Sequence, residues 1–483
     1  MSSILKQLNR TTIQAPVPAE RILQFGGGNF VRCFIGWIVQ RYNLQVARPM
    51  GVVVVKTTDR GDYREWQEQD GLYHVRIRGF ENGAPVEYTE RIDCVTRIIH
   101  VYQAWDEFLA TAELPGIRYI VSNTTESGIR LSSDDRFDDQ PPHEFPAKLT
   151  RWLYHRYLHF NGAASAGCIF LPCELLEANG DALRYAVLDQ ADAWRLDRNF
   201  IRWIKDSNVF CNTLVDRIVP GIQKDRLPSV WQSLGYKDVM VTEGEPYHLW
   251  AIEAPEWVRQ ELPLDQTGLN VVYTDDLQPY RKQKIRILNG AHTTLVPVAF
   301  LAGLETVRET IEHPVLGAYV QKALFEEIIP SMSGPADPLE RYADTILDRF
   351  RNPSINHRLL SISLNSVSKF QVRVLPSLLD YYAVTGRLPE RLVFAFACLI
   401  RFYRGKWQGR TIPLVDGDEV LKFMHLVWDD CDDCAEDVHL LTEQVLAKSN
   451  WWGRDLRKVN GLAFNVANHL MCIEKSGIEK CLP

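Results

Sequence analysis

The stretch RILQFGGGNFVRCFIGWIV, residues 21–39, decides the fold. RILQF is a short apolar run that reads as a buried strand. GGG follows as a turn, and a helix is expected from Asn29 onward, with Phe30, Phe34, Trp37 and Ile38 on one apolar stripe. Glycines at a strand-to-helix turn let the backbone come close to a pyrophosphate, while the helix N-terminus offers free N–H groups and a positive dipole end. Gly26 and Gly28 supply G-x-G, but Val31 stands where the third glycine of G-x-G-x-x-G would be. A tight strand–helix turn that holds no ligand could use the same residues.

Outward from this turn, short apolar runs alternate with helical patterns through about residue 275. GVVVVK (51–56), YIVSN (119–123), CIFLPC (168–173), VFCNTLV (209–215) and NVVYT (270–274) read as buried strands. FVRCFIGWIVQRY (30–42) and PAKLTRWLYHRYLHF (146–160) read as helices between them. Such alternation predicts an α/β domain with a doubly wound parallel sheet. HVRIRGFENGAPVEYTERI (74–92) is expected to form an inserted hairpin. In a dinucleotide fold the residue after the second strand reads the ribose. Here Lys56 comes first and Asp59 is the nearest acid, so Asp59 is the candidate for the 2′-hydroxyl, against a solvated loop carboxylate.

Beyond residue 279 the strand signals fade. HPVLGAYVQKALFEEIIPSM (313–332) and PERLVFAFACLIRFYRG (389–405) are long amphipathic stretches, so this half is expected to be mainly α-helical. The boundary is placed at Gln278-Pro279, giving domains 1–278 and 279–483, because proline suits a helix start.

The 483 residues call for two domains rather than one core. A composition of 46% hydrophobic and 24% charged residues is that of a globular chain. A net charge of −7 without a long basic run argues against a dedicated nucleic-acid binder. No apolar run reaches the roughly 18 residues of a membrane helix, and MSSILKQLNR has no signal-like apolar core. A soluble, cytoplasmic protein is therefore expected. The ten cysteines form no framework and read as reduced, mostly buried thiols. Cys431 and Cys434, with His439 downstream, lack the second pair that a zinc site wants, so no metal is expected. DDCDDCAED (429–437) reads as an acidic helix start.

RKQKIRILNGAHTTL, residues 281–295, carries Lys284, Asn289 and His292. On an α-helix His292 lies about 80° and Asn289 about 140° from Lys284, and the Lys-to-His rise is about 12 Å. The three share a broad face. A partly desolvated lysine suits general acid/base work near neutrality. An asparagine amide can stabilise an oxyanion, and a histidine can hold a carbonyl or hydroxyl. A solvated polar face of an ordinary amphipathic helix fits the same spacing.

K-x(4)-N-x(2)-H just after a dinucleotide domain resembles the signature of the polyol-specific long-chain dehydrogenases, the mannitol dehydrogenase family. Gly26-x-Gly28-x-Phe30-x-Arg32, PCELLEANGD (172–181) and LVDRIVP (214–220) resemble further family motifs in the same order, so the likeness spans nearly the whole chain. It implies a Rossmann-like first domain with extra strands and a mainly helical second one. By the likeness Lys284 is the general acid/base, Asn179 and Asn289 polarise the carbonyl, and His292 orients substrate. NAD is the implied cofactor, with Phe25, Gly26, Gly28, Asn29, Phe30, Asp59, Asn123 and Thr124 as its contacts.

Asp216 and Lys369 are the implied substrate contacts. Polyol-oxidising relatives carry an arginine eight residues before the lysine of LLSISLNSVSKF (359–370), and Ser361 stands there instead. That departure disfavours a plain polyol, and VSNTTESG (121–128) and FDDQPPHEFPAKLTR (137–151) resemble the family's sugar-acid members, a likeness that implies the altronate–tagaturonate pair as substrate. The alternatives are the epimeric mannonate–fructuronate pair or another sugar acid or polyol within the family. A nucleotide-sensing protein that kept the fold and lost catalysis is the alternative outside enzymology.

Overall fold

The computed structural model describes residues 5–124, 128–130, 132, 134–432 and 434–483. Parts of VSNTTESG and DDCDDCAED, and the first four residues of the N-terminal stretch, therefore lie outside the described residues. The chain forms two compact units. One comprises the chain up to Arg78 together with Val86–Gln278; the other comprises Gly79–Pro85 and Pro279–Pro483.

The first unit is organised by six strands: β1 (Ala19–Phe25), β2 (Met50–Lys56), β3 (Val95–His100), β4 (Tyr119–Ser122), β5 (Ile169–Pro172) and β6 (Val209–Phe210). They pair side by side in the order β3-β2-β1-β4-β5-β6, and every pairing is parallel. The order reverses between β1 and β4, which makes the carboxyl ends of these two strands the switch point where such sheets bind ligands.

Why GVVVV has no polar alternation is now plain. Val52 and Val54 pack with Phe34 and Trp37 on one face, while Val53 and Val55 pack with Phe108 and Trp152 on the other. A strand covered on both faces needs apolar residues at every position.

VFCNTLV is not one strand, as expected, but two. After Val209–Phe210 the chain leaves the six-stranded sheet at Cys211, and Asn212–Asp216 enters a second sheet. There it runs antiparallel to Leu249–Glu253, which pairs in parallel with Val271–Thr274. The inserted hairpin is present as Tyr73–Glu81 and Ala84–Ile92. Its two-residue loop, Asn82-Gly83, has φ of 54° and 75°. Positive φ at both positions is what a tight hairpin turn demands, and asparagine and glycine tolerate it best. Residues 79–85 group with the second unit, where the Gly83 N–H donates to Asp348 Oδ2 at 2.8 Å. The unit boundary in sequence is thus interrupted by this loop as well as falling at Gln278.

The helix after the glycine turn, α1, departs from the expected α-helix. It runs through Asn29–Val31, a π-helical turn at Arg32–Gly36, and Trp37–Asn43. α2 spans Asn179–Ala193.

The second unit is mainly helical. Its central rod, α3, starts with Gln278–Gln283, passes through a π-helical turn at Lys284–Asn289 and continues as Gly290–Leu301. Eleven residues of Gly290–Leu301 are buried, so this segment is covered on nearly every face. α4 (Ser366–Arg373) and α5 (Glu390–Phe402) pack beside it.

One cysteine expectation is corrected here: Cys472 and Cys481 form a disulfide, so not every thiol is reduced. The free cysteines are mostly buried, with Cys434 exposed. Among the described residues no helix is long and apolar enough to cross a membrane, and no group of metal-ligating side chains assembles.

Candidate functional site

The glycine turn lies at the switch point. Gly26 has φ of +104° and donates its N–H to the Val55 carbonyl at 2.9 Å. A Cβ added there would meet the Asn123 carbonyl at 3.2 Å, so the ends of β1 and β4 touch at this residue. Gly28 is different: a Cβ there would meet nothing within 4 Å. It stands at the N-terminus of α1 without a side-chain cap, so the leading N–H groups of the helix face open space. A phosphate needs such room next to such donors. The turn therefore fits a dinucleotide.

Arg32 holds the turn in shape. Its guanidinium donates to the Gly27 carbonyl, to Asn29 Oδ1 at 2.7 Å and to the Met240 carbonyl at 3.1 Å. This uses the Asn29 carboxamide oxygen within the loop itself. The Phe25 side chain is fully buried against Phe108 and Phe145, which leaves its backbone for a cofactor. Phe30 is half-buried and stacks on Phe34 at 5.0 Å. Asp59 is exposed on the loop after β2. Lys56 is buried and bound by its own loop, donating to the Thr58 and Arg60 carbonyls.

Asn123 and Thr124 follow β4. Asn123 donates through its backbone N–H to the Phe25 carbonyl at 3.2 Å and through Nδ2 to the Cys173 carbonyl at 2.8 Å. Thr124 is held by a residue the sequence reading passed over, Glu174. One carboxylate oxygen accepts the Thr124 N–H at 2.8 Å and the Thr124 hydroxyl at 3.0 Å; the other accepts the Ser122 hydroxyl at 3.0 Å. Glu174 is 2% exposed, and burial raises its pKa against these hydrogen bonds. The signal was in PCELLEANGD, an acid directly after a buried strand.

Asn179 is held by backbone on every side. It is 0% exposed. Its Oδ1 accepts the N–H groups of Gly180 at 3.0 Å and Thr213 at 2.8 Å, and its Nδ2 donates to the carbonyls of Pro172, Glu174 and Thr213. An amide has two N–H donors, and both are spent on backbone. Asn179 thus ties β5 to the strand at Thr213 and starts α2.

Asp216 ends the Asn212–Asp216 strand and is buried. The neighbouring Arg217 donates to the Glu245 and Cys33 carbonyls and covers the Trp37 ring at 4.3 Å, which is structural work.

In the second unit the π-helical turn spans Lys284 to Asn289. Hydrogen bonds between residues five apart replace the α-helical four, and such turns gather at functional sites. This brings Lys284 and Asn289 closer in angle than the α-helical estimate allowed. Both are half-buried. His292 is 7% exposed, so the solvated-face alternative fails at this residue. Its ring stacks on Phe350 at 4.3 Å and meets His357 edge-on at 4.8 Å. Nε2 is buried without a hydrogen-bond partner. Burial, with His357, Arg349, Arg373 and Lys369 nearby, keeps its pKa well below the ordinary value. The imidazole is neutral at neutral pH.

Arg286 is explained by structure: it donates to Ser377, Ser331 and Asp380. Lys369 is half-buried on α4 and donates to the Ile362 carbonyl at 2.8 Å. Ser361 is exposed, with its hydroxyl on the Arg358 carbonyl. Arg373, four residues after Lys369, is the second residue that sequence reasoning missed.

A doubly wound domain with an open glycine turn and a helical unit with a half-buried lysine and asparagine beside a neutral histidine define an oxidoreductase of the two-domain dehydrogenase class. The chain belongs to the mannitol dehydrogenase family: the family's Rossmann domain matches residues 20–266 and its C-terminal domain residues 276–474. It is 44% identical over 479 residues to altronate oxidoreductase of Escherichia coli O1:K1 and to that of Escherichia coli strain K12, covering 99% of each chain. Among solved structures, substrate-free D-sorbitol dehydrogenase matches with a TM-score of 0.81 at 22% identity, over 99% of this chain and 100% of that one. Pseudomonas fluorescens mannitol 2-dehydrogenase, in a ternary complex with NAD and D-mannitol, matches with a TM-score of 0.66 at 21% identity, over 99% of both chains. At these identities the structures speak for the fold.

Proposed function

We propose that this chain is an NAD-dependent oxidoreductase that interconverts D-altronate and D-tagaturonate in the cytoplasm, as a step of hexuronate breakdown. The observation that carries the reading is the full-length likeness, 44% over 99% of both chains, to altronate oxidoreductases. NAD rather than NADP is favoured by an exposed acid, Asp59, on the loop after β2, and by Lys56 being tied to its own loop instead of free for a 2′-phosphate.

NADH held at the glycine turn would supply the hydride for the keto carbon of tagaturonate. The chain's own residues handle the oxygen. As the carbonyl becomes an alkoxide, Asn289 stabilises the growing charge through its amide N–H groups. Lys284 gives its Nζ proton to that oxygen and takes it back in the oxidative direction; such transfer contributes about 10²–10⁴ in rate. His292, held neutral, offers Nε2 to a substrate hydroxyl. The cofactor end would rest on Gly26, Gly28 and the N-terminus of α1, with Thr124 positioned by Glu174 and Asn123 by the Phe25 and Cys173 carbonyls.

NADH oxidation with tagaturonate, fructuronate and fructose side by side tests the reading. Tagaturonate is expected to give the highest kcat/KM. A preference for fructuronate moves the assignment to the epimeric acid, and a preference for fructose overturns the sugar-acid reading. A preference for NADPH overturns the cofactor assignment.

A further inference from the structure

We propose that Arg373, together with Lys369 one helical turn before it, is the carboxylate-recognition pair of this chain and sets its preference for a sugar acid over a neutral ketose. The inference rests on the hexonate reading above and names the residues that make the acid group count.

Lys369 and Arg373 are four residues apart on α4, which places them on one face. Two cations at that spacing repel unless something negative lies between or beside them. The Lys369 ammonium has one hydrogen bond among the described residues, to the Ile362 carbonyl. The acid nearest in influence is Asp416, whose carboxylate already accepts from the Val367 and Gly417 N–H groups and the Tyr403 hydroxyl. Arg373 is half-buried, and among the described residues it has no hydrogen bond or ion pair. A guanidinium that has lost part of its water and gained no partner is ready for an anion.

The pair is also next to the chemistry. A Cβ on Gly290, the residue after Asn289, would meet the Arg373 carbonyl oxygen at 3.1 Å, so the end of α4 lies directly on α3. His292 is 7% exposed, and its buried Nε2 has no hydrogen-bond partner among the described residues. His357 and Arg349 add further positive or positive-capable nitrogen, and together with Lys369 and Arg373 they hold the His292 pKa down. The surroundings of His292 thus carry an excess of cationic groups that a carboxylate would balance. A planar guanidinium fork matches a carboxylate with two parallel hydrogen bonds, a geometry that a neutral hydroxymethyl end cannot return.

The test compares tagaturonate with tagatose, its neutral counterpart, in the full-length protein. Arg373→Met is expected to raise KM for tagaturonate about 10- to 100-fold, the range for losing a charged hydrogen bond, with kcat nearly unchanged. KM for tagatose and the fluorescence-measured affinity for NADH should stay within two-fold. Arg373→Lys should recover part of the loss, and Lys369→Met should give a smaller shift of the same kind. An unchanged tagaturonate KM in Arg373→Met, or equal losses for both sugars, overturns the proposal while leaving the proposed function standing. Failure of the wild type to reduce tagaturonate overturns the function instead. In that case calorimetric titration of D-altronate into wild type and Arg373→Met decides the site: binding lost in the variant upholds it, and equal binding or none in the wild type overturns it.

Discussion

Asn179 and Thr213 grip each other from both sides: the Thr213 N–H donates to Asn179 Oδ1 at 2.8 Å, and Asn179 Nδ2 donates back to the Thr213 carbonyl at 3.1 Å. Two asparagines that resemble one another as carbonyl-polarising groups in sequence are therefore unlike in structure. Asn179 is a buried brace, and Asn289 is half-buried at the end of a π-helical turn.

This difference predicts opposite phenotypes. Asn179→Ala should cost about 2–4 kcal/mol of stability, because it strands several buried backbone groups. The surviving folded enzyme should keep kcat near normal. Asn289→Ala should lower kcat about 10²-fold or more with little change in stability. Denaturant unfolding and steady-state kinetics on both variants decide it; a stable, inactive Asn179→Ala would restore the oxyanion role.

How much was legible in the sequence follows from where each signal resides. The strand–turn–helix at 21–39 was readable because a doubly covered strand is a continuous apolar run and glycine marks its turn. Val209–Asp216 was not divisible by eye, since the change of sheet at Cys211 leaves no break in hydrophobicity. The π-helical turns at Arg32 and Lys284 left no mark either, as they alter hydrogen bonding and not pattern. Glu174 is a single charge within a motif that was otherwise recognised, and Arg373 stands three residues past the end of another. Their meaning depends on which distant backbone or ring they reach, and spacing alone does not contain that.

Gly28→Ala and Gly26→Ala should separate ligand room from backbone strain. Alanine at Gly28 finds open space, so the melting temperature should hold within a degree or two while NADH affinity falls about ten-fold or more, because the methyl enters the room a phosphate would use. Alanine at Gly26 meets a φ of +104° and the Asn123 carbonyl, and should destabilise the fold itself by about 1–3 kcal/mol. Thermal unfolding with NADH fluorescence titration reads both; a Gly28→Ala enzyme with native NADH affinity would place the cofactor elsewhere.

Glu174 predicts a remote effect on the cofactor end. Replacing it with glutamine turns one acceptor oxygen into a donor facing the Thr124 N–H or the Ser122 hydroxyl. The Asn123–Thr124 segment then loses its fixed position. Stability should drop by about 1–3 kcal/mol, and KM for NADH should rise several-fold while kcat stays within a factor of about three. Equal NADH kinetics in wild type and Glu174→Gln would show that the carboxylate serves the fold alone.

Lys148 is fully buried, donating to the His143 carbonyl and lying 5.1 Å above the Tyr102 ring, and burial pushes its pKa down to about 8. The unfolded lysine titrates near 10.4. Between those values the unfolded chain binds more protons than the folded one, so stability rises with pH across that window. Below pH 8 the full cost of burying the ammonium is present. Lys148→Met should therefore be no less stable than wild type at pH 7, and its advantage should shrink by about 3 kcal/mol between pH 8 and 10.5. Urea unfolding at several pH values checks this; a difference that does not vary with pH would refute it.

His292 works in the opposite window. Its folded pKa lies well below the ordinary value because burial, His357, Arg349, Arg373 and Lys369 all oppose a second positive charge there. Below about pH 6.5 the unfolded histidine takes up a proton that the folded one refuses. Stability attributable to the neutral ring is thus complete above pH 6.5 and is lost as pH falls, at about 1.4 kcal/mol per pH unit until the folded group itself titrates. His292→Gln removes this titration. The stability gap between wild type and variant should narrow by about 2 kcal/mol from pH 6.5 to pH 5, measured by urea unfolding in the same buffers. Other histidines with lowered pKa values, His248 at about 4 among them, contribute equally to both proteins and cancel in the difference. A gap that stays constant over that range would mean that His292 titrates alike in the folded and unfolded chain, and a gap that widens would mean that the folded ring is held as a cation.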